Sequence, residues 1–211
     1  MLEGVSQLEI DRWHAAWQSL GTVAPEGLLA KLQECYAESH RAYHTLQHIQ
    51  ECLAQFDGAR QLADCPAQVE LAIWFHDAIY NPRRSDNEAL SAEWARKAVR
   101  QRGVEPAVAE RVHDLIIVTQ HEAEPAGNDA CLLVDVDLSI LGTDPGRFDE
   151  YEQQVREEYR WVPEPMFCQA RGKILRGFIG RERIYRTDDF ADRLERQARA
   201  NLARSLARLA E

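Results

Sequence analysis

His76 and Asp77 stand side by side in the stretch Leu71-Ala72-Ile73-Trp74-Phe75-His76-Asp77-Ala78-Ile79-Tyr80, which is otherwise almost wholly apolar. An imidazole offers a lone pair to a metal ion or a proton, and a carboxylate buried without partners costs several kcal/mol. A divalent cation would answer both groups at once. Read as a helix, the segment sets Val69, Ala72, Ile73, His76, Ile79 and Tyr80 on one stripe, with His76 inward and Asp77 about 100° round the axis. The structural alternative is a His bonded to a carbonyl and an Asp capping a neighbouring helix, and a dipeptide alone does not choose between them.

Two further residues have the right chemistry and an inward placement. His48 lies at the start of a helix whose buried stripe is Leu46, Ile49, Leu53 and Phe56, and Asp57-Gly58 stops it. Asp137 shares a face with Ala130, Leu133, Val134 and Leu141 on a helix from Ala130 to Leu141, which Asp129 caps and Gly142 closes. The alternation Val134-Asp135-Val136-Asp137-Leu138 also admits a short strand, but its flanks follow helical spacing.

The remaining elements read as helices as well. Val5 to Leu20 ends at Gly21, and Pro25 to Ser39 begins on a residue suited to a first turn. Pro66 introduces the His-Asp helix. The polar loop Asn81-Pro82-Arg83-Arg84-Ser85-Asp86 leads into Asn87 to Arg102, capped by Asp86 or Ser85 and ended by Gly103. Pro106 opens a helix through His121 with Val108, Val112, Leu115, Ile116 and Thr119 inward. Phe148 to Arg160, Pro165 to Gly180 and Asp188 to the terminus complete an all-α chain, expected to be one domain with a core over about 28–142 and extra C-terminal helices packed on it.

Composition narrows the function classes. The 211 residues carry a formal charge of −10, which disfavours general nucleic-acid binding because that depends on displacing counterions with Lys and Arg. The charge is uneven: 171–211 has a balance of +5 and 1–170 a balance of −15. The basic C-terminal face suits either an anionic substrate or, preferably, the acidic body of the same protein. No apolar run approaches a membrane span, and Met1-Leu2-Glu3-Gly4-Val5 lacks the features of a signal peptide, so a cytoplasmic location is expected. Five scattered cysteines without a CxxC pair fit reduced thiols. The absence of GxxxxGK[ST], GxGxxG, GxSxG and HExxH strings leaves nucleotide-loop, dinucleotide, serine-hydrolase and zincin readings without support.

The order His48, His76-Asp77, Asp137 across a helical chain resembles the HD superfamily of metal-dependent phosphohydrolases. The strings Tyr43-His44-Thr45-Leu46-Gln47-His48-Ile49, Trp74-Phe75-His76-Asp77-Ala78-Ile79-Tyr80, Asp86-Asn87-Glu88-Ala89-Leu90-Ser91-Ala92 and Asp135-Val136-Asp137-Leu138-Ser139-Ile140-Leu141-Gly142 are similar to a bacterial group of predicted metal-dependent HD phosphohydrolases. The likeness continues into Arg156-Glu157-Glu158-Tyr159, Arg171 and Glu195-Arg196-Gln197-Ala198-Arg199-Ala200-Asn201. It implies an HD-domain-like helical bundle in which His48, His76, Asp77 and Asp137 hold one divalent ion and Asp77 bridges to a second. Glu88 and His121 occupy the places where two-metal relatives carry further ligands, Glu88 standing where His is more usual. Mn²⁺, Fe²⁺, Co²⁺, Ni²⁺, Zn²⁺ and Mg²⁺ all suit such a donor set.

Tyr43-His44 followed by His48 is also similar to the cyclic nucleotide phosphodiesterase pattern, which implies that His44 is a general acid. With His48 at i+4 of one helix, the two imidazoles would share a face. The implied reaction is attack of a metal-bound water on a phosphomonoester or phosphodiester, a nucleotide or small phosphorylated metabolite, with His44 assisting departure. Arg83 and Arg84 are placed either to clamp a phosphate or as solvated loop residues. Asp135 is a candidate to orient a ligand, whereas His14 and His113 read as ordinary packed or surface residues. Two other classes stay open: oxygen chemistry at a di-iron centre, as in inositol oxygenase, and a regulatory module that binds metal or ligand without turnover. Expected partners are the small phosphorylated substrate and, as an open alternative, further copies of the chain in a homo-oligomer, with neither a membrane nor a stable nucleic-acid complex.

Overall fold

A computed structural model describes residues 6–209 and is all-helical, with no strand among them. The start of the first helix at Val5 and the last residues of the final one lie outside the described residues. The chain divides into two compact units, one ending at Leu133 and the other beginning at Val134.

The first unit holds α1 (Gln7–Ser19), α2 (Leu28–Tyr36), α3 (Leu46–Ala59), α4 (Pro66–Phe75), α5 (Asn87–Gln101) and α6 (Pro106–Ile117). Ser6 starts α1 with a reciprocal capping box to Glu9. The second helix begins three residues later than its proline suggests, because Gly27 takes a left-handed φ of 70° that L side chains rarely adopt. The centre of the unit is α4, buried from Gln68 to Phe75 and packed against α1, α3, α5 and α6. Trp74 meets Trp13 edge-on at 5.7 Å, and Phe75 meets Trp94 likewise at 5.7 Å. Glu70 of α4 is fully buried and ion-paired to both Arg12 and Arg60, which compensates a charge that would be costly alone.

Apolar periodicity carries α4 too far when read from sequence. The helix ends at Phe75, with His76 at the C-cap still in αR geometry, and Asp77 to Tyr80 turn away. Two other expected caps do different work. Asp86 sits at the N-cap position of α5 without capping it, since its carboxylate pairs with Arg84. Asp129 accepts from the amides of Asp64 and Cys65 at the start of α4, at 2.7 and 3.1 Å.

Helix α7 (Asn128–Asp137) passes the unit boundary, so the Val134–Leu138 alternation is helical and then 3₁₀. The second unit continues with a 3₁₀ segment (Leu138–Gly142), α8 (Pro145–Glu158), α9 (Glu164–Ile179) and α10 (Asp188–Arg208). Gly142 is required by close packing: a Cβ there would lie 2.6 Å from Leu194 Cβ and 2.8 Å from the Tyr185 hydroxyl. Asp135, a candidate ligand-orienting residue in the sequence, instead accepts from the Arg186 amide at 2.7 Å and from the Thr187 amide and hydroxyl at 2.7 and 2.6 Å. It anchors the entry to α10. No described helix is long and apolar enough to cross a membrane.

Candidate metal centre

The site grows from the C-terminal end of α4. A helix leaves its last carbonyls without intrahelical partners, and here that end is buried, so other groups must supply donors. Tyr36 of α2 donates its hydroxyl to the Trp74 carbonyl at 2.9 Å. The Ala78 amide takes the Phe75 carbonyl at 2.9 Å. His76 turns its own ring back, and Nδ1 bonds the Ile73 carbonyl at 2.9 Å. Because a carbonyl only accepts, that bond places a proton on Nδ1 and leaves the Nε2 lone pair to take a metal ion or, without one, a second proton that charges the ring.

That lone pair is not alone. Nε2 of His48, on the first turn of α3, lies 3.1 Å from Nε2 of His76. The Asp77 carboxylate oxygen Oδ2 is 3.1 Å from His76 Nε2 and 3.4 Å from His48 Nε2. Both imidazoles are only 2% exposed, and the Asp77 side chain is 13% exposed. Three basic atoms at the corners of a small triangle repel one another unless protons or a cation sit among them. Ligand atoms held about 2.1 Å from one ion are about 3.0 to 3.4 Å apart in octahedral or tetrahedral arrangement. The donor set and its spacing therefore fit a divalent metal. Asp137, the remaining candidate ligand, is half-buried at the end of α7, in the second unit.

Asp77 is electrostatically distinctive. Burial pushes its carboxyl upward, yet the charges of His76 and His44 and the hydrogen bonds from His48 and His76 overcome this and hold it well below the usual carboxylate range. Glu88, half-buried near the start of α5, moves the other way. Burial raises it, the Asp77 charge adds to that, and His44 and His76 pull it back. Glu88 thus shares a field with the triangle. His121 occupies the turn after α6 with a left-handed φ of 57°.

His44 differs from its expected placement. It lies in the turn before α3, so it does not share a helical face with His48. Tertiary packing brings it in regardless: its ring stacks on Tyr80 at 4.1 Å and stands 6.1 Å from the ring of His48. The two arginines of the following loop are exposed. Arg84 makes a bidentate pair with Asp86 at 2.7 and 2.5 Å, and the Arg83 amide bonds the Asn81 side chain.

The chain matches no family model, no curated protein and no solved structure. The reading of the site rests on its geometry.

One residue of the site is missed when the chain is read from sequence. Arg41 is buried, and its guanidinium bonds the carbonyls of His44, Asp77 and Ala78 at 3.0, 2.7 and 3.1 Å and the Glu38 carboxylate at 3.0 Å. It lies between the rings of Tyr36 and Tyr80, 5.2 and 5.5 Å from their centroids. Arginine in a polar, non-helical stretch ordinarily reads as a surface residue. The signal that could have found it is the density of Tyr and His on either side, at Tyr36, His40, Tyr43 and His44.

Proposed function

We propose that this chain is a metal-dependent phosphohydrolase of the HD type, acting on a small phosphorylated substrate such as a nucleotide or a phosphorylated metabolite. The observation that carries the reading is the convergence of His48 Nε2, His76 Nε2 and Asp77 Oδ2 within 3.4 Å, with the His76 proton held on the far nitrogen by Ile73. His48, His76, Asp77 and Asp137 would hold the first ion, and Asp77 would bridge to a second. When bound, a divalent ion supplies Lewis acidity at a phosphoryl oxygen and makes water acidic enough to act as nucleophile near neutral pH.

The chain's own residues do the rest. Ile73 fixes the tautomer and ring plane of His76, the usual service of a carbonyl to a ligating imidazole. Asp77 stays ionised across the physiological range, as a bridging carboxylate must. His44, held against Tyr80 beside the triangle, gives a proton to the departing oxygen. Glu88 is the candidate to hold a second ion or to orient the attacking water. Arg83 and Arg84, exposed on the loop after the His-Asp turn, are the cations placed to meet the phosphate.

The test joins elemental analysis of the purified protein to phosphate release from a panel of mono- and diesters. One or two equivalents of a transition metal or magnesium, absent from the double variant His76→Ala/Asp77→Ala, together with metal-dependent phosphate release, is the expected result. Oxygen-dependent loss of a substrate by an iron-loaded protein that releases no phosphate would overturn it in favour of oxidation. Metal without any turnover would make the chain a binding module.

A further inference from the structure

We infer that Arg41 is the positioning residue that fixes the proton donor His44 relative to the metal-binding Asp77, an inference that rests on the phosphohydrolase reading for its catalytic meaning and on geometry for its structural content. His44 and Asp77 are 33 positions apart in the chain. Neither lies inside a helix, so no backbone ladder sets their separation. One guanidinium bonds the backbone of both. Nη1 of Arg41 donates to the carbonyls of both residues, at 3.0 Å to His44 and 2.7 Å to Asp77, while Nη2 takes Ala78 at 3.1 Å and Nε takes Glu38 at 3.0 Å.

The aromatic shell makes the link rigid. Arg41 lies between Tyr36 and Tyr80, and the same Tyr80 ring stacks on the imidazole of His44 at 4.1 Å. Tyr36 is tied to the Trp74 carbonyl and Tyr80 offers its own carbonyl to His40 at 2.7 Å. Arg41 therefore reaches His44 twice, through its carbonyl and through the ring on which it rests. A planar fork can serve several carbonyls and two ring faces together; an ammonium cannot. Lysine at this position keeps the charge and loses the geometry.

The test reads the His44 ring directly. Stacked on Tyr80, its carbon-bound protons experience the Tyr80 ring current and resonate upfield of an exposed histidine. In two-dimensional NMR spectra of protein treated with chelator, Arg41→Lys should move the His44 signals toward those of an exposed His, while Arg60→Lys, away from this cluster, should leave them in place. Glu38→Gln, which loosens the guanidinium from a half-exposed position, should move them the same way by less, and it keeps the test alive if substitution of Arg41 itself prevents folding. In the metal-loaded enzyme, Arg41→Lys should retain its metal and slow esters with poor leaving groups at least ten-fold more than those with good ones. Unmoved His44 signals in folded Arg41→Lys or in Glu38→Gln would overturn the positioning role, as would equal slowing of both ester classes. If the wild-type protein releases no phosphate from any ester, the function reading fails on its own, and the NMR signals still decide whether Arg41 places His44.

Discussion

The Nε2 atoms of His48 and His76 face each other at 3.1 Å, closer than two lone pairs tolerate without a cation or a shared proton between them. The ring of His76 is prevented from turning away by its bond to Ile73, and His48 is fixed by its place on α3. A shared proton or a cation placed between the rings removes that repulsion. The consequences can be measured.

Asp77→Ala should lose metal and phosphate release together, because one carboxylate is assigned to both ions. Elemental analysis after reconstitution, beside activity, checks this. Full metal occupancy in the folded variant would remove Asp77 from the ligand set.

His44→Ala should keep its metal. Its defect should fall on leaving groups that need a proton, by about 10²-fold or more, the ordinary size of a general-acid contribution. Nitrophenyl esters compared with alkyl esters separate this from a general loss of activity, which would slow both alike.

Acid stability of protein treated with chelator should depend on Asp77. Its burial opposes ionisation, but the charges of His76 and His44 and the hydrogen bonds from His48 and His76 outweigh it and depress the carboxyl. A depressed folded value means that the ionised group contributes stability in full above the unfolded value of about 3.9 and that this contribution is lost as pH falls from there through the folded value. Urea unfolding of wild type and Asp77→Asn between pH 7 and pH 2 should show a steeper acid loss in wild type. Parallel curves would contradict it.

Gly142→Ala tests the packing of the second unit without touching any proposed ligand. The added methyl would meet Leu194 and the Tyr185 hydroxyl at distances that no relaxed Cβ adopts. Overpacking of this kind costs about 1–3 kcal/mol, visible as a lower melting temperature, while metal content should be unchanged.

The sequence by itself determined the helical class, because apolar residues recur at helical spacing in nearly every segment and prolines and glycines punctuate them. It also marked His76-Asp77, since a charged pair inside an apolar run demands partners wherever it folds. Periodicity could not find where α4 stops: a segment buried on every side carries no polar face whose loss would signal the end, so Ala78, Ile79 and Tyr80 read as one more turn. The caps misled for a related reason. Asp86 and Asp129 are good N-cap residues by type, but Arg84 and the amides of Asp64 and Cys65 compete for their carboxylates. Only the tertiary structure gave His44 its place, through a Tyr80 stack that joins residues 36 positions apart. It alone revealed Arg41, whose partners are mostly backbone carbonyls, and carbonyls are identical in every residue and leave no trace in a sequence.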